Sequence, residues 1–241
     1  MTLLKSVIAG GGPKTSHSHV VNGLGLAIVS GTYAVGAVLP GDHDLGEQFG
    51  VSRSVLREAM KTLAAKGMVV PRTRIGTRVT DKRLWNYLDA DVLQWHFEKG
   101  VDDTFIRHLY EMRLAFEPTA ARLAARNRDD SDVEAILSRA DQMLEPHTNE
   151  SFALVDLEFH RAVFEATKNP LLHCTGNVIE AVLINVLQKS SPASDSDRSA
   201  KVAAHHRALG EAIAAQDPEA ADAAMRAVIM LGWRQVPDSA D

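Results

Sequence analysis

The sequence of 241 residues predicts a mainly α protein with two domains. We expect three helices and a small β-hairpin in the N-terminal domain, and an all-α bundle of six to seven helices in the C-terminal domain. Three observations support this fold class. Two short helical segments flank a turn with glycine, two β-like runs follow them, and the chain beyond residue 101 has helical segments only.

The two parts of the chain have opposite charge. Residues 1–85 hold 11 Lys and Arg against 5 Asp and Glu, whereas residues 86–241 hold 15 against 26. A basic N-terminal part indicates binding of a polyanion, and the acidic C-terminal part then has a different function. Chance clustering of charged residues would give the same asymmetry.

Composition also bears on the class of protein. The one cysteine, Cys174, excludes an intramolecular disulfide. The sequence has no apolar run near the roughly 20 residues that span a bilayer, and no signal-peptide layout. These features predict a cytoplasmic protein without a membrane partner.

The N-terminal domain follows a predicted leader. Residues 1–18 contain GGGP and several Ser and His residues, and we expect them to be flexible. A first helix is predicted over about residues 19–30, with Gly31 at its end. A second, short helix has Asp42 as its expected N-cap and ends near Gly50.

A third helix completes a helix-turn-helix pattern. Ser52 is its predicted N-cap, and it runs to about Lys66, with Gly67 as its stop. Apolar residues recur on one face at helical spacing and should pack inward; they are Leu56, Ala59 and Leu63.

Basic residues recur on another face of this helix. They are Arg53, Arg57 and Lys61. Such a stripe is usually solvated surface. Here it begins at a helix N-terminus, where free backbone N–H groups and the helix dipole favour phosphate. We therefore favour DNA binding by this helix.

A basic hairpin is predicted after the third helix. The segment MVVPRTRIGTRVT, residues 68–80, has two short β-like runs with Gly76 at the turn between them. Its arginines are Arg72, Arg74 and Arg78. A basic hairpin behind a recognition helix is typical of a wing that contacts DNA phosphates or the minor groove.

The remaining boundaries follow from composition and periodicity. We predict a DNA-binding domain over residues 19–80 and an aromatic-rich, partly helical linker over 81–100. Six helices are counted over residues 101–235, and residues 236–241 are expected to be a frayed tail.

The N-terminal pattern resembles the winged-helix domain of GntR-family transcription regulators. The resemblance covers about residues 19–80 and is most specific in VSRSVLREA and the downstream IGTRV. The helical remainder resembles the FadR-type C-terminal ligand-binding domain, often called FCD, in EMRLAFEPTAARLAA, DLEFHRAVFEATKNPLL and HRALGEAI.

The resemblance implies which residues contact double-stranded operator DNA. These are His43, Ser52, Arg53, Ser54, Arg57, Lys61, Arg74, Gly76 and Thr77. Arg53 and Arg57 are expected to read or clamp the operator, and the two serines to bond phosphate. His43 stands where relatives often carry arginine, so its contact with DNA stays open.

The DLEFH segment, residues 156–160, predicts a metal or ligand site. Asp156 and His160 lie one helical turn apart, at the edge of an apolar face, where burial requires a partner or a metal. A simple hydrogen bond between the two side chains on the helix surface would explain the pair by itself. His206 shares a stripe with apolar residues and also lies in the HRALGEAI match, so we choose it over His205 as third ligand.

The predicted ion is a divalent metal, with zinc as the candidate. Asp156, His160 and His206 supply one oxygen and two nitrogens, which leaves open positions for water or an effector. The resemblance implies a fourth histidine on the last helix, where this chain has Val228. Weak or absent metal binding therefore remains open.

Arg113 is the candidate for recognising the effector. It lies in a stripe with Leu109, Phe116 and Ala120, which a surface arginine would not occupy. A buried ion pair would explain its place, and a bidentate clamp on a carboxylate is the functional alternative. The resemblance favours the clamp.

The resulting prediction is a transcription regulator, acting as a repressor of a catabolic operon for a sugar acid, an aldonate such as galactonate. It would bind a palindromic operator as a homodimer and leave it when the acid binds. The alternative is a metalloenzyme, a hydrolase or lyase that uses the Asp/His/His site. That alternative needs a general base, and Glu158 and Glu165 point away from the Asp156/His160 face.

Overall fold

A computed structural model describes residues 15–145, 147–189 and 192–233. Within that part the chain is mainly α-helical, which confirms the predicted fold class. It forms two compact units, one ending at Val101 and the other beginning at Asp102. None of the described helices combines the length and apolar character that crossing a bilayer requires.

The first helix begins earlier than predicted. Helix α1 spans Ser16–Val29, because the Thr15 hydroxyl accepts a hydrogen bond from the backbone N–H of Ser18 and the Ser18 side chain bonds back to Thr15. Residues 16–18 are therefore helical, not part of a flexible leader. Residues 1–14 lie outside the described part of the chain.

The helix-turn-helix is confirmed. Helix α2 spans Asp42–Phe49, and its N-cap is Gly41, so the expectation that Asp42 is the cap was wrong by one position. Gly50 ends α2 with φ of 63°. Helix α3 spans Arg53–Ala65, with the Ser52 hydroxyl accepting from the backbone N–H of Val55.

The hairpin is also present. Strand β1 spans Val69–Arg72 and pairs antiparallel with strand β2, Gly76–Val79. A bridge between Val38 and Arg78 adds a third extended segment beside β2. Arg74, in the turn, has a φ of 65°, a left-handed backbone conformation that residues other than glycine rarely adopt.

The predicted linker instead packs into the N-terminal unit. A 3₁₀ turn at Lys82–Leu84 precedes helix α4, Ala90–Lys99. Trp85, Val92 and Trp95 belong to the same buried cluster as the α1 and α3 core residues. A Cβ atom on Gly25 would lie 2.5 Å from the Trp95 ring, so glycine permits this close approach of α4 to α1.

The C-terminal unit contains the six predicted α-helices within its described residues. They are α5 (Asp103–Asn127), α6 (Asp130–Gln142), α7 (Asn149–Ala166), α8 (Gly176–Lys189), α9 (Ser196–Ala214) and α10 (Pro218–Trp233). Two 3₁₀ turns, Leu172–Thr175 and Pro192–Ser194, precede α8 and α9. Helix α5 is central, because it contacts α7, α8, α9 and α10.

Candidate functional site

The predicted ligand residues meet in the C-terminal unit. Helix α7 supplies Asp156 and His160, and α9 supplies His206. Asp156 Oδ1 lies 3.0 Å from His206 Nε2 and 3.4 Å from His160 Nε2. Both imidazoles are buried, while Asp156 is half-buried. Their candidate ligand atoms all lie within 4.8 Å of one another.

The His206 ring is oriented by the backbone of its own helix. Its Nδ1 lies 2.8 Å from the carbonyl oxygen of Val202, which can only accept, so Nδ1 carries the proton of this hydrogen bond. In the neutral ring Nε2 then presents a lone pair to the Asp156 carboxylate. Two acceptors at 3.0 Å require a proton or a cation between them.

His160 is held between two carboxylates. Its Nδ1 lies 2.8 Å from Glu117 Oε2, but out of line for a hydrogen bond, which leaves this buried nitrogen without a hydrogen-bond partner among the described residues. Burial alone would lower the pKa of His160, but the Glu117 and Asp156 carboxylates outweigh it and raise the pKa to about 9. In the absence of metal the ring is therefore cationic at neutral pH.

The carboxylates respond to their neighbours in the opposite direction. Burial opposes ionisation of Glu117, yet Arg113 and His160 lower its pKa to about 2. Burial likewise opposes ionisation of Asp156, and His206 and His160 hold its pKa well below the usual range. Both side chains are therefore anionic at neutral pH.

Arg113 forms the buried ion pair that the sequence left open. Its Nε and Nη2 both donate to Glu117, the latter at 3.2 Å from Oε2, and Nη2 lies 3.3 Å from His160 Nε2. Arg113 and Glu117 are 5% and 1% exposed. The expected inward position of Phe116 was wrong, because this side chain is 36% exposed.

Glu117 is a site residue that the sequence reasoning missed. It follows Arg113 by four positions on α5, which is the spacing of a helical ion pair, and this was the available signal.

A cavity of about 320 Å³ opens beside the cluster. Asp156, His160, His206 and Arg113 line it together, so the structure brings all four predicted effector residues to one space. Val228 lines the same cavity, in the position where the resemblance implied a fourth histidine. Apolar residues complete the wall; they include Phe152, Ala153, Leu183 and Leu231.

The spacing of the cluster suits a divalent ion. Ligand atoms bound at about 2.1 Å lie roughly 3.0 Å apart at a right angle and roughly 3.4 Å apart at a tetrahedral angle. The two distances from Asp156 Oδ1, 3.0 and 3.4 Å, are close to these values, and all three ligand atoms lie within 4.8 Å of one another. The hydrogen bond from His206 Nδ1 to a backbone carbonyl is also the outer contact that zinc-binding histidines make.

The predicted DNA contacts on α2 and α3 are exposed. Among the described residues Arg53 and Arg57 form no ion pair, whereas Lys61 pairs with Glu58 at 2.8 Å. The His43 Nε2 atom lies 3.6 Å from Glu47 Oε1, and the hydroxyl oxygens of Ser52 and Ser54 are 2.9 Å apart. Because exposed pairs contribute little, Lys61 can exchange Glu58 for a phosphate.

The wing residues are also accessible. Arg74 and Gly76 are exposed and Thr77 is half-buried. Arg78 is directed elsewhere, because its Nε donates to the backbone oxygen of Gly36. Arg74, in the turn between β1 and β2, and the exposed Arg72 therefore stay available to DNA.

Two histidines at the start of the chain lie in α1, and one of them, His17, was predicted to belong to the flexible leader. His17 Nε2 lies 3.0 Å from the Thr62 hydroxyl, and the His19 ring meets that of Phe49 edge-on at 5.7 Å. His205 bonds the backbone of Lys201 and is not in the cluster. The side chain of Cys174 lies outside the described part.

Comparison with known proteins agrees with both units. Residues 17–79 match the family described as bacterial regulatory proteins, gntR family, and residues 108–230 match the FCD domain. The chain is 36% identical over 205 residues to the Escherichia coli HTH-type transcriptional regulator YieP, covering 84% of this chain and 87% of that one.

A second relative and a solved structure complete the comparison. The galactonate operon transcriptional repressor of E. coli is 33% identical over 220 residues, covering 91% and 96% of the two chains. The structure of Lar, which controls the Listeria monocytogenes agr system, superposes with a TM-score of 0.59 at 19% identity, covering 93% of this chain and 100% of that one. The chain belongs to the GntR family of transcription regulators, with an FCD domain as its C-terminal part.

Proposed function

We propose that this regulator is a repressor that binds a palindromic operator as a homodimer and leaves it when a sugar acid enters the C-terminal cavity. One winged helix reads only one half-site, so a palindrome requires a two-fold dimer. The exposed α3 face, with Arg53 and Arg57, supports base and phosphate contacts. Arg74 supports a further contact from the wing.

The observation that carries the effector proposal is the Asp156, His160 and His206 set in the cavity wall. Two imidazoles and one carboxylate suit zinc or another borderline divalent ion. Three protein ligands leave positions that a hydroxyl and a carboxylate oxygen can fill together. A hydroxy acid is therefore the class of effector that this donor set favours.

The sugar-acid assignment has a second support. The galactonate operon repressor, a relative over nearly its whole length, bears a sugar acid in its name. We place the effector carboxylate at the metal, with Arg113 beside it in the cavity wall. Glu117 fixes the Arg113 guanidinium, so its position is set before the effector binds.

The arrangement favours ligand binding over catalysis. A metal-dependent hydrolase or lyase needs a free base beside the metal. Glu117 is the buried carboxylate next to His160, and Arg113 already engages both of its oxygens. Glu158 lies 3.8 Å from Arg161 and Glu165 is exposed, on α7 faces away from the cluster.

The test measures DNA affinity with and without acid. A fluorescent duplex from the region upstream of the gene is titrated with the full-length protein, and anisotropy is recorded in the presence of galactonate, gluconate and related acids. An inducing acid should weaken binding about 5- to 150-fold, corresponding to a coupling of about 1–3 kcal/mol. If none of the acids changes the affinity, the effector assignment is wrong.

Two controls separate DNA contact from folding. Arg57→Ala should abolish operator binding while the circular dichroism spectrum is retained. Arg126→Ala removes an exposed arginine from α5 in the C-terminal unit and should leave DNA affinity unchanged. Sedimentation of the protein with its operator should give two chains per palindrome, and one chain per duplex would contradict the dimer.

A further inference from the structure

We infer that Ile75, at the tip of the wing, enters the minor groove of the operator and excludes the amino group of guanine from its place of contact. The wing then discriminates between base pairs that α3 does not contact. This inference rests on the proposed function, because it concerns how the regulator binds its operator. It assigns sequence discrimination to an apolar side chain that the predicted DNA contacts leave out.

The turn that carries Ile75 has a fixed backbone. Arg72 of β1 pairs with Gly76 of β2, so residues 73–75 alone connect the two strands. The backbone N–H of Ile75 donates to the carbonyl oxygen of Arg72 at 3.1 Å. Arg74 has a φ of 65°, a left-handed conformation that residues other than glycine keep at an energetic cost and that is common at functional sites. The hairpin therefore presents Ile75 at a defined position.

The Ile75 side chain is exposed between two cations. It is 63% exposed, and the flanking Arg72 and Arg74 are exposed as well. A single exposed apolar residue is common on protein surfaces. Here the two arginines direct the same turn towards a polyanion, because each can contact a DNA phosphate. When they do, the Ile75 side chain is buried against the DNA and releases its water, which favours binding.

Val38 extends the apolar surface at the base of the turn. It is exposed, and it forms a bridge to Arg78 of β2. Its Cγ1 atom would lie 3.1 Å from a Cβ atom on Gly76, so the Val38 side chain packs against the backbone next to Ile75. Gly76 also has a φ of 107°, which glycine adopts without strain. The end of the wing is therefore an apolar projection with arginines beside it.

The minor groove suits a projection of this size and charge. It is about 6 Å wide in B-DNA, whereas a helix such as α3 requires the major groove, which is about 12 Å wide. Where the minor groove is narrow, its negative potential attracts arginine. One turn that ends in a branched side chain thus fits the narrower groove, with Arg72 and Arg74 at its phosphate edges.

The floor of the minor groove differs between base pairs by one group. Guanine presents its N2 amino group there, and A·T pairs present acceptors only. An apolar side chain that covers this amino group removes its water without accepting its hydrogen bond, which costs free energy. We therefore expect A·T pairs to be preferred wherever Ile75 lies.

The test changes the minor groove and leaves the hydrogen-bonding groups of the major groove unchanged. In the duplex from the upstream region, 2,6-diaminopurine replaces adenine at one position of each half-site at a time, which adds the amino group. Inosine replaces guanine in the same way, which removes it. Anisotropy with the full-length protein should find a position in each half-site where the added amino group weakens binding about tenfold or more.

Variants assign this discrimination to Ile75. Ile75→Ser should weaken binding of the unmodified duplex about fivefold or more and reduce the effect of the amino group to within about twofold. Leu84→Ser is the matched control, since Leu84 is 64% exposed and lies outside the wing. Its backbone oxygen lies beside Gly67, which follows α3 at the end away from Ser52. This variant should keep both affinity and discrimination.

Salt dependence separates the apolar contact from a displaced wing. Ile75→Ser removes no cation, so the slope of log K against log salt concentration should equal that of the wild type. Arg74→Gln removes a phosphate contact and should reduce the slope by about one per half-site. A displaced wing would lose its arginine contacts too and would lower the slope in Ile75→Ser. Circular dichroism verifies that each variant is folded.

Each result has one meaning. Discrimination that survives in Ile75→Ser, or an amino group without effect on the wild type at every position, overturns the minor-groove contact and leaves the proposed function standing. An Ile75 effect that responds to uracil in place of thymine, which removes a methyl group from the major groove, and not to the amino group also overturns it. If the wild type binds no site in the upstream duplex, the proposed operator binding and the Ile75 contact fail together.

Discussion

Raising the pH should destabilise the metal-free C-terminal unit, and His160 is the group responsible. Its pKa is about 9 in the folded protein, against about 6.5 in an unfolded chain. The folded state therefore holds the proton more tightly. The resulting stabilisation is complete below about pH 6.5 and is lost as the pH rises through about 9. The difference of about 2.5 between the two pKa values means that protonation of His160 contributes on the order of 3 kcal/mol to the free energy of unfolding.

The measurement is urea denaturation of chelator-treated protein at several pH values between about 6 and 9.5. Hydrogen exchange in peptides from α7 and α9 locates the loss in the C-terminal unit, with α1 peptides as the internal reference. His96, in the N-terminal unit, does not interfere, because burial lowers its pKa to about 4 and its effect lies below about pH 6.5.

Two comparisons identify the proton. His160→Gln removes the titrating ring, so this variant should be less stable at pH 6.5 and should lose the dependence above it. Zinc should also remove the dependence, because a coordinating imidazole is already neutral. A free energy of unfolding that stays constant from pH 6.5 to 9 in the metal-free wild type would refute the assignment of charge to His160.

Three further predictions follow from the same contacts. Zinc at a hundred times its Kd should stabilise the protein by about 2.7 kcal/mol, which raises Tm by roughly 5–10 °C. The Tm increase should persist in the control variant His205→Ala and disappear in His206→Ala, and equal increases in both variants would place the ion elsewhere. Gly67→Ala should cost more than about 2 kcal/mol in urea denaturation, because Gly67 has φ of 77° and a Cβ would overlap the backbone oxygen of Leu84; a near-neutral effect would contradict this packing. A fragment of residues 15–80 should lack cooperative unfolding by circular dichroism, whereas one extended to residue 101 should unfold cooperatively, since α4 completes the core.

The helix-turn-helix was predictable because its signals are local. Ser52 caps the following helix and Gly50 ends the preceding one, each within a few residues of the structure it determines. The start of α1 was missed because its capping box uses Ser18 where the usual pattern has Glu or Gln. The hydrogen bonds are equivalent, but the sequence pattern is weaker.

The role of residues 81–100 was not predictable from local patterns. Trp95 is buried against Gly25, a contact between residues 70 positions apart, and Lys66 closes the same region through ion pairs at 2.7 Å to Asp89 and 2.8 Å to Asp91. An aromatic-rich segment between two domains is compatible with a linker or with a core helix. Only tertiary contacts decide between these possibilities.

The same limit explains the error on α5. The apolar periodicity predicted that the Phe116 side chain faces the core. It gave no reason to expect Glu117 there, because acidic side chains are rarely buried. The structure buries Glu117 because Arg113 and His160 compensate its charge, and the rotation of the helix that achieves this leaves Phe116 at the surface. Apolar periodicity cannot anticipate a charge network whose members come from different helices.

That network also shows how an effector can act on the C-terminal unit. Asp156 and His160 lie on α7, His206 on α9, and Arg113 with Glu117 on α5. An effector bound as proposed would therefore contact three helices at once. A ligand changes an equilibrium only through its differential affinity for the two arrangements. Because the histidines and carboxylates require a proton or a metal between them, we expect their separations to differ between the protonated and the metal-bound centre. Under the proposed function, a chelating acid that completes the coordination would fix those separations. A difference of about 1–3 kcal/mol between arrangements would then be enough for the 5- to 150-fold change in DNA affinity that release requires.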